Sequence, residues 1–147
     1  MPTDELRQAE LGPNDYEALI RLWEAAGLPY KPRGRDSRDQ YLTQLEMEML
    51  AFLGLFDGDD LIGMILVTHD GRKGWLNRLA IAPSHRRRGL GRRLIIAAEN
   101  WLSDRGIRLF ACQIEGYNDV SREVFRRCGY ELFAGVQYYS KRPGPDW

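Results

Sequence analysis

Apolar residues recur along the chain with two spacings, one typical of helices and one typical of strands. Turn residues separate these segments and set the limits of the predicted elements. In chain order the sequence predicts a strand over 6–11, helices over 14–27 and 37–48, strands over 50–56, 61–68 and 75–82, a helix over 89–105, a strand over 108–114, a short helix over 118–129 and a final strand over 130–139. The predicted order is therefore β-α-α-β-β-β-α-β-α-β.

The three central strands follow one another through short turns, which favours an antiparallel meander. Asp57-Gly58 supplies the positive φ that a tight hairpin needs. The strand–helix–strand unit over 75–114 predicts a right-handed parallel crossover instead. Together these features indicate the α/β (or α+β) class, with a mixed, mostly antiparallel sheet and helices on its faces. We expect one domain over 1–147, in which 142–147 is a loose tail.

Composition narrows the classes of protein that fit this pattern. The chain is 44% hydrophobic and 29% charged, and its formal net charge is zero. A general nucleic-acid binder would be basic, so we expect no nucleic-acid partner. No stretch has the roughly 20 apolar residues of a membrane span, and the polar start carries no secretory signal, so we expect a cytoplasmic protein with no membrane partner. The two cysteines are then expected to be free thiols, and the two histidines do not indicate a metal site.

A basic, glycine-containing loop joins the predicted strand over 75–82 to the helix that follows. Its sequence is Arg86-Arg87-Arg88-Gly89-Leu90-Gly91. The first N–H groups of a helix have no partner within the helix, and glycine lets a phosphate approach the backbone closely. Arginine adds positive charge and a fork of donors. The loop therefore predicts a site for a pyrophosphate, against the alternative of an ordinary solvated helix start.

Three linked motifs make the chain resemble the GNAT superfamily of acetyltransferases, and in particular its small, single-domain bacterial members. The loop matches the signature Arg/Gln-x-x-Gly-x-Gly/Ala, and the strand before it ends in an apolar residue, any residue and Pro83. Downstream, 118–130 is similar to the family's Asn-x-x-small-x-x-aromatic-x-x-x-Gly-Phe/Tyr segment, with Phe125, Gly129 and Tyr130 in register. The resemblance implies an acetyl-CoA-dependent N-acetyltransferase in which the fourth and fifth strands splay apart.

The resemblance also implies where acetyl-CoA binds, without a metal. In this family the loop amides hold the pyrophosphate, and the strand before the loop pairs with the pantetheine arm as with an added strand. The amide of Ile81 is then expected to polarise the thioester carbonyl. Carried onto this chain, the implied cofactor-binding residues are Leu79, Ala80, Ile81, Arg86, Arg87, Arg88, Gly89, Leu90, Gly91, Arg92, Asn118, Ser121, Phe125 and Arg126.

The usual acid and base of the family are missing from their places. Phe125 stands where members often have a tyrosine that protonates the thiolate, and Gln113 stands where some members have a glutamate base. We expect Glu115 to be the base, since on a continuing strand it would share a face with Gln113. Tyr117 is a candidate proton donor to sulfur. Two tyrosines of the last strand are alternatives, Tyr138 and Tyr139.

The sequence leaves the acceptor amine open. The wall of its site should come from the first two helices, the loop over 28–36 and the end of the chain. Basic groups there suit an acidic or phosphorylated acceptor, whereas nearby acidic groups could attract an ammonium. The basic groups are Lys31, Arg33 and Arg35, with Tyr30 in the same loop, and the acidic groups are Asp36, Asp39, Glu46 and Glu48.

We expect direct acetyl transfer to a primary amine of a small molecule or of a protein or peptide N-terminus. The alternative is a non-catalytic acyl-CoA-binding module, which would bind acetyl-CoA without turnover. A nucleic-acid contact through 86–93 would depend strongly on salt, and the neutral total charge argues against it. A homodimer through the last strands is also open.

Overall fold

A sheet flanked by helices organises the chain, and the computed structural model describes residues 5–147. In chain order the elements are β1 (Arg7–Glu10), α1 (Tyr16–Ala26), α2 (Arg38–Leu45), β2 (Leu50–Asp57), β3 (Asp60–His69), β4 (Lys73–Ile81), α3 (Leu90–Ser103), β5 (Leu109–Ala111) and α4 (Asp119–Arg127). Short 3₁₀ turns over Pro13–Asp15 and Pro83–His85 precede α1 and α3. None of the helices in the described chain has the length and hydrophobicity that a membrane crossing requires.

The strands follow their sequence order across the sheet. The order is β1-β2-β3-β4-β5, in which β1 to β4 are antiparallel and β4 and β5 are parallel. Gly58 makes the β2–β3 turn with a φ of 61°, as Asp57-Gly58 predicts. The helix α3 connects the two parallel strands. This mixed sheet confirms the predicted α/β class and the antiparallel meander.

Each face of the sheet is covered by helices, which creates two apolar clusters. On one face the apolar stripe of α3 packs against β2, β3 and β4, and Phe125 of α4 joins it. On the other face α1 and α2 contribute Trp23 and Tyr41, which pack with Phe52 and Met64 of the sheet. Removing apolar surface from water, at about 25 cal/mol per Å², makes these clusters the main source of stability.

A β-bulge in β4 bends this strand before its last residues. Met64 pairs with Ala80 and Leu66 pairs with Asn77, so the ladder spans one more residue in β4 than in β3. The extra residue bends the strand and increases its twist. Arg78 lies in the bulge with a φ of 59°, in a region that residues other than glycine rarely adopt.

The pairing of β4 with β5 is short, and the two strands then separate. The paired residues are Lys73 with Leu109, Gly74 with Phe110 and Trp75 with Ala111. Beyond Trp75, no strand of the described chain pairs with this edge of β4. The separation is the predicted splay, and β5 is shorter than the strand predicted over 108–114.

Local capping explains the limits of the first two helices. Gly27 ends α1 with a φ of 78°, and the Ser37 hydroxyl accepts a hydrogen bond of 3.2 Å from the Gln40 N–H at the start of α2. The helix α2 ends at Leu45, before the predicted limit at residue 48. Tyr41 of α2 is buried, whereas its neighbour Leu42 is exposed.

The structure corrects one element of the predicted order, because 130–139 does not form a strand. Residues 131–140 have no strand pairing in the described chain. The edge of β5 has three residues, so it offers too short a ladder to satisfy the backbone of a long strand. The apolar side chains of this segment are exposed, namely Leu132, Phe133, Val136, Tyr138 and Tyr139. Two of them were the alternative proton donors, and they do not lie on a strand.

The end of the chain returns to the loop between α1 and α2. The Asp146 carbonyl accepts a hydrogen bond of 2.9 Å from the Arg35 N–H, and the Asp146 carboxylate lies 3.6 Å from the Arg33 guanidinium. Gly34 is buried here, and an added Cβ would overlap the Asp146 backbone. Residues 142–147, expected to be loose, form no helix or strand, but their end contacts this loop.

Gly74 tests the packing of α3 against the sheet. An added Cβ at Gly74 would overlap the Leu102 side chain, which is fully buried. We expect Gly74→Ala to lower the free energy of unfolding by about 1–3 kcal/mol, the usual cost of overpacking. Thermal and urea unfolding measure it. Gly135→Ala is the control, because its Cβ would meet no atom within 4 Å. Equal stability of the two variants would contradict the close packing of Leu102 against Gly74.

Candidate active site

Side-chain contacts fix the start of the loop between β4 and α3. His85 Nε2 lies 2.9 Å from Asp57 Oδ2, and Ser84 Oγ lies 2.7 Å from His85 Nδ1. The Arg86 guanidinium donates from Nε to the Ile81 carbonyl at 3.2 Å. These contacts join the loop to the β2–β3 turn and to the end of β4.

The backbone N–H groups of residues 86–92 form what we call the amide cradle. Within the described residues, none of them donates a hydrogen bond, and the first bond of α3 runs from the Arg93 N–H to the Gly89 carbonyl at 3.1 Å. Arg87 and Gly89 have φ values of 65° and 74°. Such positive values curl a backbone so that successive N–H groups line a concave surface. Together with the positive end of the α3 dipole, the cradle suits an anion.

The arginine side chains differ in what they contact around the cradle. Arg86 is turned back toward β4, and Arg93 donates to the Leu6 carbonyl at 3.3 Å. The side chains of Arg87, Arg88 and Arg92 are exposed. These three add positive charge at the surface beside the cradle, which favours a phosphate.

The free edge of β4 presents backbone groups to the gap beside it. The Ala82 N–H donates to the Ile62 carbonyl at 2.8 Å, so Ala82 faces β3. Because backbone groups alternate in direction along a strand, those of Ile81 face the other edge. The Leu79 carbonyl faces that edge too, since it points away from the Ala80 N–H of the same planar peptide. The side chains of Leu79 and Ile81 pack against the α3 cluster. These two residues can therefore offer backbone groups to a bound molecule while their side chains stay in the core.

The start of α4 borders the same gap. The Asn118 side chain caps this helix by accepting a hydrogen bond of 3.1 Å from the Ser121 N–H. A Cβ added to Gly91 would lie 3.4 Å from Val124, so α4 packs beside the first turn of α3. Asn118 thus has a structural role as a cap, and its contact with a cofactor stays a prediction, as does that of Ser121.

Phe125 and Arg126 are held by contacts within α4 and its surroundings. Phe125 is 4% exposed, and its ring centre lies 5.1 Å from that of Tyr130 in an edge-to-face arrangement. Arg126 bonds the Glu123 carboxylate at 3.0 and 2.8 Å. Hydrogen bonds from Arg126 and Arg127 lower the pKa of Glu123 to about 2. Phe125 is a core residue here, and a cofactor contact of either residue stays a prediction.

Glu115 and Tyr117 lie in the loop between β5 and α4. Since β5 ends at Ala111, Gln113 and Glu115 lie beyond the strand, and the expected sharing of a strand face is wrong. The Glu115 carbonyl accepts a hydrogen bond of 2.9 Å from the Asn118 N–H, which closes the loop. Both candidate side chains are exposed, Tyr117 by 68%. The loop that carries both residues directly follows β5.

The loop over 28–36, the predicted wall of the acceptor site, is organised around Asp36. The Asp36 carboxylate accepts hydrogen bonds from the Lys31 N–H at 2.8 Å and from Arg35 Nη2 at 3.3 Å. The Asp36 carbonyl accepts one from the Tyr16 hydroxyl at 2.6 Å. Tyr30 bonds Glu24. The charges of Arg35 and Asp36 are therefore paired, and hydrogen bonds to Asp36 make the loop more than a solvated connection.

The surroundings of both cysteines disfavour the thiolate form, because burial raises the pKa of each thiol. Cys112 and Cys128 are free, and burial raises the pKa of the Cys112 thiol to about 11, so it stays protonated. The described residues bring together no group of three His, Cys, Asp or Glu side chains that could hold a metal ion.

The structure adds Arg78, which the sequence motifs did not single out. Its guanidinium lies over the Trp23 ring, 4.2 Å from the ring centre, on the face of the sheet that α1 covers. The sequence offers one signal for Arg78, because a charged residue directly precedes the apolar end of β4. Arg78 directly precedes Leu79 in β4, and its side chain lies on the face of the sheet opposite α3.

A second concave surface lies on the other flank of α3. It encloses about 400 Å³ and is lined by Gln8, Gly89, Arg92, Arg93, Ile96, Ala97 and Asn100. It shares the start of α3 with the amide cradle but faces β1 rather than the gap. It is therefore the main competing place for an anionic ligand at this helix.

Acetyl-CoA fits the cradle and the free edge of β4 together. A pyrophosphate needs several converging N–H donors, which the cradle has. The pantetheine arm contains amides, and the backbone groups of Leu79 and Ile81 can pair with them as in strand addition. Beyond Trp75 this edge of β4 has no strand partner in the described chain, so its backbone groups are not used by the sheet.

Comparison with known proteins identifies the family of the chain. The chain matches the acetyltransferase (GNAT) family over residues 16–130. It is 28% identical over 129 residues to acetyltransferase SG1711 of Sodalis glossinidius (strain morsitans), covering 88% of this chain and 89% of that protein. The aminoglycoside acetyltransferase AAC(6')-Iy, in complex with a CoA bisubstrate analogue, has a TM-score of 0.79 at 22% identity, covering 95% of this chain and 99% of that chain.

A second solved structure has the same fold. The PaiA N-acetyltransferase of Thermoplasma acidophilum, in complex with coenzyme A, has a TM-score of 0.78 at 21% identity. It covers 88% of this chain and 91% of that chain. Since the family match spans most of its length, the chain belongs to the acetyltransferase (GNAT) family and is an acetyl-CoA-dependent N-acetyltransferase.

Proposed function

We propose that this enzyme transfers an acetyl group directly to a primary amine, either on a small molecule or at the N-terminus of a protein or peptide. The observation that carries the proposal is the meeting of the amide cradle with the free edge of β4 at Ile81. An anion in the cradle and an extended arm along β4 would leave the reacting end in the gap between β4 and β5. Both candidate proton-transfer groups lie beside that gap.

Bound acetyl-CoA supplies a thioester that the acceptor amine attacks. The Ile81 N–H faces the gap and is the donor best placed to stabilise negative charge on the carbonyl oxygen. Residues 86–92 hold the pyrophosphate through their backbone, and Leu79 aligns the arm. Holding the two reactants together is itself worth several kcal/mol of the barrier.

Glu115 and Tyr117 are the proposed proton-transfer groups. Glu115 accepts a proton from the amine, directly or through water, as the carbon–nitrogen bond forms. Tyr117 donates a proton to sulfur as the carbon–sulfur bond breaks. Glu115 and Tyr117 belong to the loop that the hydrogen bond from the Asn118 N–H to the Glu115 carbonyl closes. Asn118 also caps α4, so the loop ends at a defined helix start. This pair replaces the groups that Gln113 and Phe125 do not supply.

Support for a small-molecule amine comes from the fold. AAC(6')-Iy, which shares it, binds a bisubstrate analogue in which CoA is joined to an acetylneamine. The 28–36 loop and the end of the chain close the acceptor side in this protein through Arg35 and Asp146. A peptide N-terminus is the other candidate, since the β5 side of the gap is open. The homodimer and the cytoplasmic location stay predictions.

An acceptor screen tests the proposed function. Acetyl-CoA is offered with amino acids, peptides, polyamines and aminoglycosides, and the free thiol released is measured. We expect turnover with at least one class of primary amine, and mass spectrometry should find the product 42 Da heavier, the mass of one added acetyl group less a proton. Tight CoA binding with no turnover in any class would instead favour the non-catalytic acyl-CoA-binding module.

The two glycines of the cradle should differ in their effect on CoA affinity. Gly89 has a φ of 74° and open space around it, so Gly89→Ala strains the backbone by about 1 kcal/mol and turns the amides. Gly91 is helical, and its new Cβ would meet Val124 at an ordinary 3.4 Å. We expect CoA to bind about fivefold to tenfold more weakly to Gly89→Ala, and a smaller loss in Gly91→Ala. Calorimetric titration measures both, and equal losses would contradict the cradle.

Removing the proposed base should slow catalysis without changing cofactor binding. We expect Glu115→Gln to lower kcat by about a hundredfold or more and to change the pH dependence of kcat/KM, since general bases contribute about 10²–10⁴. The Kd for CoA should stay the same. The control is Glu131→Gln, an exposed carboxylate outside the site. Full activity of Glu115→Gln with a confirmed acceptor would remove Glu115 from the mechanism.

A further inference from the structure

One edge of the Arg78 guanidinium lies inside the protein without a partner. Its Nε and Nη2 atoms are shielded from solvent and have no hydrogen-bond partner among the described residues. Burial lowers the pKa of Arg78, but a guanidinium stays charged near neutral pH. A buried cation with unmet N–H groups costs free energy, so we expect a bound group to accept these hydrogen bonds.

The unpaired edge has the geometry of a carboxylate site. Nε and Nη2 lie on the same side of the guanidinium, where their N–H bonds run nearly parallel and match the two oxygens of a carboxylate. The face of the group is fixed, because Arg78 lies over the Trp23 ring at 4.2 Å. Trp23 is itself held, since its indole N–H contacts Met64 Sδ at 3.3 Å. The fork is therefore preorganised.

The charges around Arg78 favour an anion. Asp36 and Tyr117 raise the pKa of Arg78, and Arg35 lowers it, so these three groups lie within electrostatic range. The Asp36 carboxylate already accepts hydrogen bonds from the Lys31 N–H at 2.8 Å and from Arg35 at 3.3 Å. The Asp36 carboxylate is therefore already bonded to Arg35, and Nε and Nη2 of Arg78 stay without a partner among the described residues.

Arg78 also stands where an acceptor amine would approach. It occupies the bulge immediately before Leu79 and lies on the α1 face, whereas the cradle lies at the start of α3. The proposed acid Tyr117 is near it. A group bound to Arg78 would thus lie at the acceptor end of the gap and not along the cofactor arm.

We propose that Arg78 is a specificity-determining residue that binds a carboxylate of the acceptor, so that the enzyme prefers small primary amines that carry a carboxylate, such as amino acids. This inference rests on the proposed function and names its substrate class. A phosphate presents a similar pair of oxygens, so amines that carry a phosphate share the chemistry. A polycationic amine would be repelled by Arg78 and Arg35.

The experiment compares each acceptor with its uncharged counterpart. Common L-amino acids are tested beside their carboxamides, with O-phosphoethanolamine as the phosphate probe and kanamycin as the polycation. The amine of a carboxamide is less basic and so more often neutral, which means that a preference for the acid cannot come from the amine. Wild type is compared with Arg78→Met, which keeps the apolar stem, and with Arg78→Lys, which keeps the charge but not the fork.

We expect wild-type kcat/KM to be at least tenfold higher for the acid than for its amide, mainly through KM. Arg78→Met should lose this preference by raising KM for the acid about tenfold to a hundredfold, with little change for the amide, and Arg78→Lys should recover part of it. Higher activity with O-phosphoethanolamine than with amino acids would overturn the proposed preference for a carboxylate and indicate that Arg78 binds a phosphate. Equal use of acid and amide by wild type, best activity with kanamycin, or equal losses for both acceptors in Arg78→Met would overturn the inference.

A binding measurement separates this inference from the proposed function. N-acetyl amino acids and N-acetyl amino acid amides are titrated into the protein with CoA present, and the fluorescence of its tryptophans is followed. We expect the acids to bind at least tenfold more tightly to wild type, and acid and amide to bind alike to Arg78→Met. Tighter binding of the acids without any turnover would support carboxylate binding by Arg78 and contradict the proposed acetyl transfer. Turnover of amines without any preference for the acids would contradict Arg78 alone.

Discussion

The separation of β4 from β5 is the constraint on which the site depends. The two strands pair only up to Trp75 and Ala111, and the sheet then opens. Backbone groups of a strand must find partners, so the free edge at Leu79 and Ile81 is suited to an extended ligand that behaves as another strand. The amide cradle at the start of α3 continues that edge. The proposed recognition of the cofactor therefore relies on backbone geometry that few side chains control directly.

The bulge in β4 links this opening to the proposed carboxylate site. It bends the strand just before its free edge and places Arg78 on the α1 face with a positive φ. Strained backbone of this kind persists where the surroundings hold it in place. Here the Trp23 ring lies against the guanidinium. One irregularity thus lies between the free edge of β4 and the residue proposed to bind the acceptor.

Much of the fold could be predicted because local signals and the core agree. Gly58, Gly27 and the apolar stripe of α3 set turns and helices that the structure contains. The strand predicted over 130–139 does not form, because its pattern gives β propensity but cannot show that β5 offers only three residues to pair with. The anion site at the amide cradle could be predicted from its glycines and arginines. Arg78 was not, since its role comes from a bulge and from Trp23, which lies far away in sequence.

Amide hydrogen exchange with and without CoA tests most directly whether acetyl-CoA lies along β4 and in the amide cradle. We expect CoA to slow exchange at Leu79, Ile81 and the amides of residues 86–92, with little change in β1. Binding in the cavity on the other flank of α3 would instead protect the residues that line that cavity. Protection confined to Gln8 and the outer face of α3, with no change at Ile81, would contradict binding along β4.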